Sequence, residues 1–146
     1  MIYRLQNGTR MHIFYLKSGE RGLKITPQRT AIYEELLKAK DHPSADTIYK
    51  RIVKKIPNIS FDTVNRTLLT FAGIGVVDVV EIFGGAKRFD PNGANHHHMH
   101  CVRCGTIIDF QNRTYDNLKV PEDLRDEFRV ISKRVVFRGL CKACRD

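Results

Sequence analysis

Apolar positions recur at helical spacing in three successive stretches, and short β-branched runs follow them. The first stretch opens at Thr26-Pro27, where a Thr hydroxyl can accept from a free amide and Pro fits the first helical turn. Ile32, Leu36 and Leu37 form its apolar side, and the helix is predicted to stop before Asp41-His42-Pro43. Ser44 caps the second. Ala45, Ile48, Tyr49, Ile52, Val53 and Ile56 follow the i, i+3, i+4 rule with Lys50, Lys54 and Lys55 opposite, and Pro57-Asn58 breaks the helix. Ser60 caps a third helix over residues 61–72. Phe61, Val64, Leu68, Leu69 and Ala72 are predicted to face inward. Thr63, Asn65, Arg66, Thr67 and Thr70 are predicted to face outward, and Gly73 and Gly75 end the helix.

Residues 76–83 are rich in β-branched side chains, Gly84-Gly85 can turn the chain, and residues 86–89 can return as a second strand. Three helices and a hairpin predict a winged helix-turn-helix, whose third helix enters the major groove while the hairpin flanks the backbone. The plainer reading is a small α+β domain with a basic surface. Asp90 to Ala94 is turn-rich. Beyond it, residues 106–110 read as a strand, Pro121 starts a short helix with Leu124 and Phe128 inward, and residues 129–137 read as another strand. The fold class is therefore α+β: a winged-helix domain over 21–90, a hinge over 91–95 and a small α/β domain over 96–146. Residues 1–20 are assigned to an N-terminal extension, with Met11 a candidate start.

The net charge of +9 makes a polyanion a plausible partner. Residues 1–90 carry 15 Lys and Arg against 9 Asp and Glu, and residues 91–146 carry 10 against 7, so the N-terminal part is the better candidate. No apolar run approaches the ~18 residues of a membrane span, and no clean signal peptide opens the chain, which points to a cytoplasmic protein without a membrane partner.

All four cysteines lie after residue 100, as Cys101-x-x-Cys104 and Cys141-x-x-Cys144, 36 residues apart. Paired thiols in a reducing compartment favour metal over disulfide, and four thiolates close a tetrahedral zinc without an open position. Such a zinc is structural, and a unit this small has a marginal core that benefits from it. The competing reading is a pair of redox dithiols.

His42, His96, His97, His98 and His100 are candidate ligands, whereas His12 is given no role. Strand alternation would point His96, His98 and His100 one way and His97 the other. Asp90 and Asp109 flank the cluster, and mixed imidazole and carboxylate donors suit Fe(II), Mn(II) or Zn(II). The bland alternative is a solvated polar strand.

Several segments together carry a resemblance. They are Gly22-Leu23-Lys24-Ile25-Thr26-Pro27-Gln28-Arg29, His42-Pro43-Ser44-Ala45-Asp46-Thr47-Ile48-Tyr49, Ser60 with Thr63-Val64, Arg88-Phe89-Asp90, and the His-rich strand running into two Cys knuckles. In this order and spacing the chain resembles the ferric uptake regulator (Fur) family, from about Gly22 to Cys144. The resemblance implies a homodimeric, metal-dependent repressor that binds double-stranded palindromic operator DNA. It implies structural zinc on Cys101, Cys104, Cys141 and Cys144, and a regulatory Fe(II) or Mn(II) on His42, Asp90, His96, His98 and Asp109. The C-terminal domain would then dimerise and sense metal.

Asp at both carboxylate positions is most similar to the peroxide-sensing PerR subfamily. There, iron-catalysed oxidation of ligand histidines, here His42 and His96, releases DNA. Peroxide is then the one small-molecule substrate. The alternative is a regulator that reads iron or manganese level. Ser132 and Lys133 stand where some relatives carry a further His, so a third metal site is not expected. Asn65 departs from the family's usual Tyr, which leaves the operator open.

The candidate DNA-contacting residues are Ser60, Thr63, Asn65, Arg66 and Thr67, with Lys24, Arg29, Lys50, Lys87 and Arg88 for the backbone. Arg66 is the first candidate for a guanine or phosphate contact. A metalloenzyme would need a separate base and a substrate motif, and an RNA module would need exposed aromatic pairs. Neither set is evident in the sequence.

Overall fold

The computed structural model describes residues 6–80, 85–130 and 132–146. The chain divides into two units, the first ending at Gly93 and the second beginning at Ala94. Among the described residues no helix is long and apolar enough to cross a membrane.

The described residues of the first unit form helices α1 (Asn7–Glu20), α2 (Pro27–Lys38), α3 (Ala45–Ile52) and α4 (Phe61–Gly73). They are followed by strands β1 (Asp78–Val80) and β2 (Arg88–Asp90), which pair antiparallel. Three helix starts follow from local chemistry. The side chains of Thr26, Ser44 and Ser60 accept from the amides of Arg29, Thr47 and Thr63. Gly75, at φ 78°, ends the turn after α4 in a conformation that a β-carbon would strain. The core joins Phe14 of α1, Ile32, Tyr33 and Leu36 of α2, Ile48 and Ile52 of α3, Val64, Leu68 and Phe71 of α4, and Phe89 of β2.

Four features differ from expectation. Helix α1 lies within the segment assigned to an extension, and its Phe14 stacks on Tyr33 and meets Phe71 edge-on inside the core. The buried stripe of α4 is Val64, Thr67, Leu68 and Phe71, spaced i, i+3, i+4, i+7. Phe61 and Leu69 fall on its flanks and are exposed, whereas Thr67 is buried rather than outward. Helix α3 stops at Ile52, short of the apolar pattern that runs on to Ile56. The two wing strands are shorter than read, and residues 81–84, including Gly84 of the expected turn, lie outside the described residues.

The second unit is a three-stranded sheet in the order β4-β3-β5, with β3 (His97–Cys101), β4 (Ile107–Phe110) and β5 (Val136–Gly139). β3 runs antiparallel to β4 and parallel to β5. The short helices α5 (Arg113–Asp116) and α6 (Glu122–Glu127) connect β4 to β5. The last strand is Val136–Gly139, overlapping only the end of the run expected over 129–137, and Ile131 lies outside the described residues. Leu124 and Phe128, expected inward, are 45% and 62% exposed. The pattern marks the apolar edge of α6, and among the described residues this edge stays exposed.

Candidate metal centres

The parallel pairing of β3 and β5 places Cys101 opposite Gly139, so both strands deliver a cysteine knuckle to the same end of the sheet. Each knuckle closes on its own backbone: Gly105 N–H donates to the Cys101 carbonyl, and Cys144 N–H to that of Cys141. Gly105, at φ 76°, makes the first turn possible. All four sulfurs lie within 4.8 Å of one another, and those of Cys104 and Cys141 are 3.8 Å apart. Tetrahedral zinc with Zn–S bonds of ~2.3 Å needs sulfur separations of about 3.8 Å, so the donors fit that ion. Backbone amides of Cys104 and Cys141 aimed at the Cys101 sulfur pull its pKa down to about 6, favouring the thiolate a metal requires. The Cys141 side chain, burial and the other two sulfurs push Cys144 up to about 12.

Strand alternation organises the second set of donors within the same unit. His98 and Asp109 are cross-strand partners, and their Nε2 and Oδ1 are 3.2 Å apart. His96 Nε2 lies 3.1 Å from His98 Nε2 and 3.9 Å from the Asp109 carboxylate. His96 Nδ1 is 2.6 Å from the Ala94 carbonyl, which can only accept. This contact fixes the Nδ1–H tautomer and leaves the Nε2 lone pair facing the cluster, the orientation a metal ligand needs. All three side chains are buried. Cis donors on an ion with bonds of ~2.1 Å sit about 3 Å apart, so this imidazole–imidazole–carboxylate set suits a divalent ion.

His97 points to the opposite face. Its Nδ1 accepts from Val135 N–H at 3.0 Å, so Nε2–H donates to Asp116 Oδ1 at 2.8 Å. Asn95 donates to the same oxygen. With both ring nitrogens committed, His97 is an anchor of β3 and not a ligand. His100 is buried and, among the described residues, is not part of the cysteine tetrad.

In the first unit, His42 Nε2 lies 3.3 Å from Asp90 Oδ2, both side chains buried. His42 has φ 46°, an uncommon conformation for a residue with a β-carbon. Arg88, two residues before Asp90, donates from its guanidinium to the Asp41 and His42 carbonyls. Phe89 N–H donates to the Pro43 carbonyl, and the Asp90 carboxylate accepts from Asn92 N–H at 2.9 Å. Together these bonds hold a strained turn, and with it an imidazole beside a carboxylate.

The candidate DNA-contacting residues separate by environment. Lys24, Lys50, Ser60, Arg66 and Lys87 are exposed, and Arg29, Thr63 and Asn65 are half-buried. The Ser60 hydroxyl is used as a cap and bonds the Thr63 hydroxyl. Arg66 pairs with Asp62 at 2.7 Å, Lys50 with Asp46 at 2.7 Å, and Arg29 donates to the Lys24 carbonyl. Thr67 faces the core, and Arg88 supports the His42 turn, a role that sequence reasoning did not find. Asp116 was also missed, since it meets His97 only through the fold.

Residues 20–138 match the sequence profile of the Ferric uptake regulator family. The chain belongs to this family. Its members are DNA-binding transcriptional regulators, not enzymes. A peroxide-responsive repressor, PerR, of Staphylococcus epidermidis is 38% identical over 125 residues, covering 86% of this chain and 83% of that protein. The ferric uptake regulator of Helicobacter pylori, described as having three functional metal-binding sites, superposes with a TM-score of 0.76 at 24% identity, over 99% of this chain and 98% of that one, and so shares the fold. The Pseudomonas aeruginosa ferric uptake regulator, solved with manganese, superposes with a TM-score of 0.67 at 27% identity, over 88% of this chain and 97% of that one.

Proposed function

We propose that the protein is a peroxide-sensing, metal-dependent repressor that binds palindromic operator DNA as a homodimer in the cytoplasm. The observation that carries the metal dependence is the convergence of His96, His98 and Asp109 on one face of the β3–β4 pair. Three protein donors leave a divalent ion short of ligands, and in this reading His42 with Asp90 would supply two more from the winged-helix unit. One ion ligated by all five would couple the two units, shifting the population towards the conformation that fits DNA.

Zinc in the cysteine tetrad is structural in this reading, because its four thiolates leave no open position. The dimer reading is supported by Met99, Ile108 and Phe137. They are register partners across the sheet and are 43%, 52% and 40% exposed, an apolar row that a second copy would cover.

Peroxide sensing rests on the likeness to the PerR repressor and on the donor set. Carboxylates at 90 and 109 with imidazoles at 42, 96 and 98 suit Fe(II) and Mn(II). Five protein ligands leave room for a sixth. Bound Fe(II) would supply the redox chemistry by which peroxide gives one oxygen atom to the imidazole of His42 or His96 and leaves as water, the histidine being the group oxidised, whereas Mn(II) would hold the repressor shape without that reaction.

Anaerobic loading with Fe(II), exposure to peroxide and mass spectrometry of the peptides test this reading. The expected result is one added oxygen atom on His42 or His96, with operator released, and no change in the manganese-loaded control. An unmodified protein that still tracks iron or manganese concentration would establish the alternative, a metal-level regulator.

A further inference from the structure

Helix α4 presents two rows at i, i+4 spacing near its N-terminus, Phe61 with Asn65 and Asp62 with Arg66. The second row is closed by its own ion pair at 2.7 Å. The hydroxyls of Ser60 and Thr63, which flank the start of the helix, bond each other. Beside these polar groups, the same end of the helix presents an aromatic ring and an amide.

Phe61 is 45% exposed. Single exposed apolar residues are ordinary on protein surfaces, so exposure alone says little. Its placement says more. The ring meets Tyr49 of α3 edge to face, with centroids 5.9 Å apart and planes at 88°. Tyr49 itself packs against the core. The exposed ring thus has an aromatic neighbour from α3 on one side at the first residue of the helix. In helix-turn-helix proteins the N-terminal residues of the recognition helix meet base edges. The apolar feature that the major groove offers is the C5-methyl group of thymine, and a phenyl ring is one of the groups that recognises it.

We propose that Phe61 is a specificity-determining residue that packs on a thymine methyl in each half-site, with Tyr49 bracing the ring. Asn65, one turn on in the same row, then faces the neighbouring base pair. This inference rests on the DNA-binding reading above.

The test uses the full-length, metal-loaded dimer. In vitro selection from random duplexes first yields an operator. Each thymine of that operator is then replaced by uracil, which removes only the methyl, and binding is measured with wild type and with Phe61→Ala. Burial of one methyl group corresponds to about a fourfold change in Kd. Wild type should lose about fourfold at one thymine per half-site. Phe61→Ala should lose a similar factor on the thymine operator and nothing further on the matching uracil operator. A structural defect in Phe61→Ala would weaken both operators and leave the uracil effect intact, which overturns the proposal. Wild-type affinity of Phe61→Ala for the thymine operator overturns it as well. Failure of the selection to yield any operator would remove the DNA-binding reading itself, and this proposal with it.

Discussion

Arg88 Nε donates to the backbone carbonyl of His42, across 46 residues of sequence. His42 holds a left-handed backbone at φ 46°, and the same guanidinium also donates to the carbonyl of Asp41. The turn that aims an imidazole at Asp90 is therefore held by a side chain from the wing strand. Strain of this kind costs on the order of 1–3 kcal/mol and persists only where its surroundings over-determine it.

Arg88→Ala should relax that turn and weaken the regulatory metal. Removing groups that support a ligand lowers metal affinity by roughly 10–100-fold. Manganese titration followed by operator binding checks this. Arg88→Lys should not restore affinity, because a lysine lacks the fork that serves two carbonyls at once. A lysine variant with wild-type metal affinity would mean that the two hydrogen bonds are incidental.

His97→Ala should destabilise the second unit by about 2–4 kcal/mol, since it leaves a buried cavity and unpairs the Val135 amide and the Asp116 carboxylate. Guanidinium unfolding of the zinc-loaded protein measures it. Asp116→Asn should cost less, because an amide oxygen can still accept from His97.

Cys104→Ser should release zinc and unfold the second unit. Structural zinc contributes roughly 10–16 kcal/mol of apparent binding energy, more than a domain of this size can lose. Metal analysis, circular dichroism and gel filtration on one preparation would show zinc, β-structure and dimer lost together.

His98→Ala should behave differently. The cysteine tetrad does not involve His98, so the dimer should stay intact while metal-dependent DNA binding is lost. Operator affinity and metal response equal to wild type would remove His98 from the regulatory site.

The parts of this architecture legible in the sequence are those fixed by local chemistry. Thr26, Ser44 and Ser60 cap helices with hydroxyls three residues from the amides they serve, and such caps can be read without knowing the fold. Helix α1 has no side-chain cap and no acid in its first turn, and Phe14 is its one fully buried apolar residue, so little marks it. The rotation of α4 escaped for a related reason. Apolar residues at 61, 64, 68, 69, 71 and 72 allow more than one stripe, and tertiary packing chose the one that buries Thr67 and Phe71. The placement of His96, His98 and Asp109 on one face, and of His97 on the other, follows from strand alternation once the register of β3 and β4 is known. The His97 partner could not be read, because Asp116 is brought to it by a turn and a short helix 19 residues away. Leu124 and Phe128 show a further limit: periodicity identifies an apolar edge but not whether the same chain or a second copy covers it.

The central claim is that a divalent ion held by His42, Asp90, His96, His98 and Asp109 switches the protein into its DNA-binding form. The direct measurement is operator affinity before and after a chelator removes that ion while metal analysis verifies one zinc per chain in the cysteine site. A loss of specific binding, restored by adding Mn(II), is the predicted result. Unchanged affinity with the zinc in place and the second ion gone would contradict it.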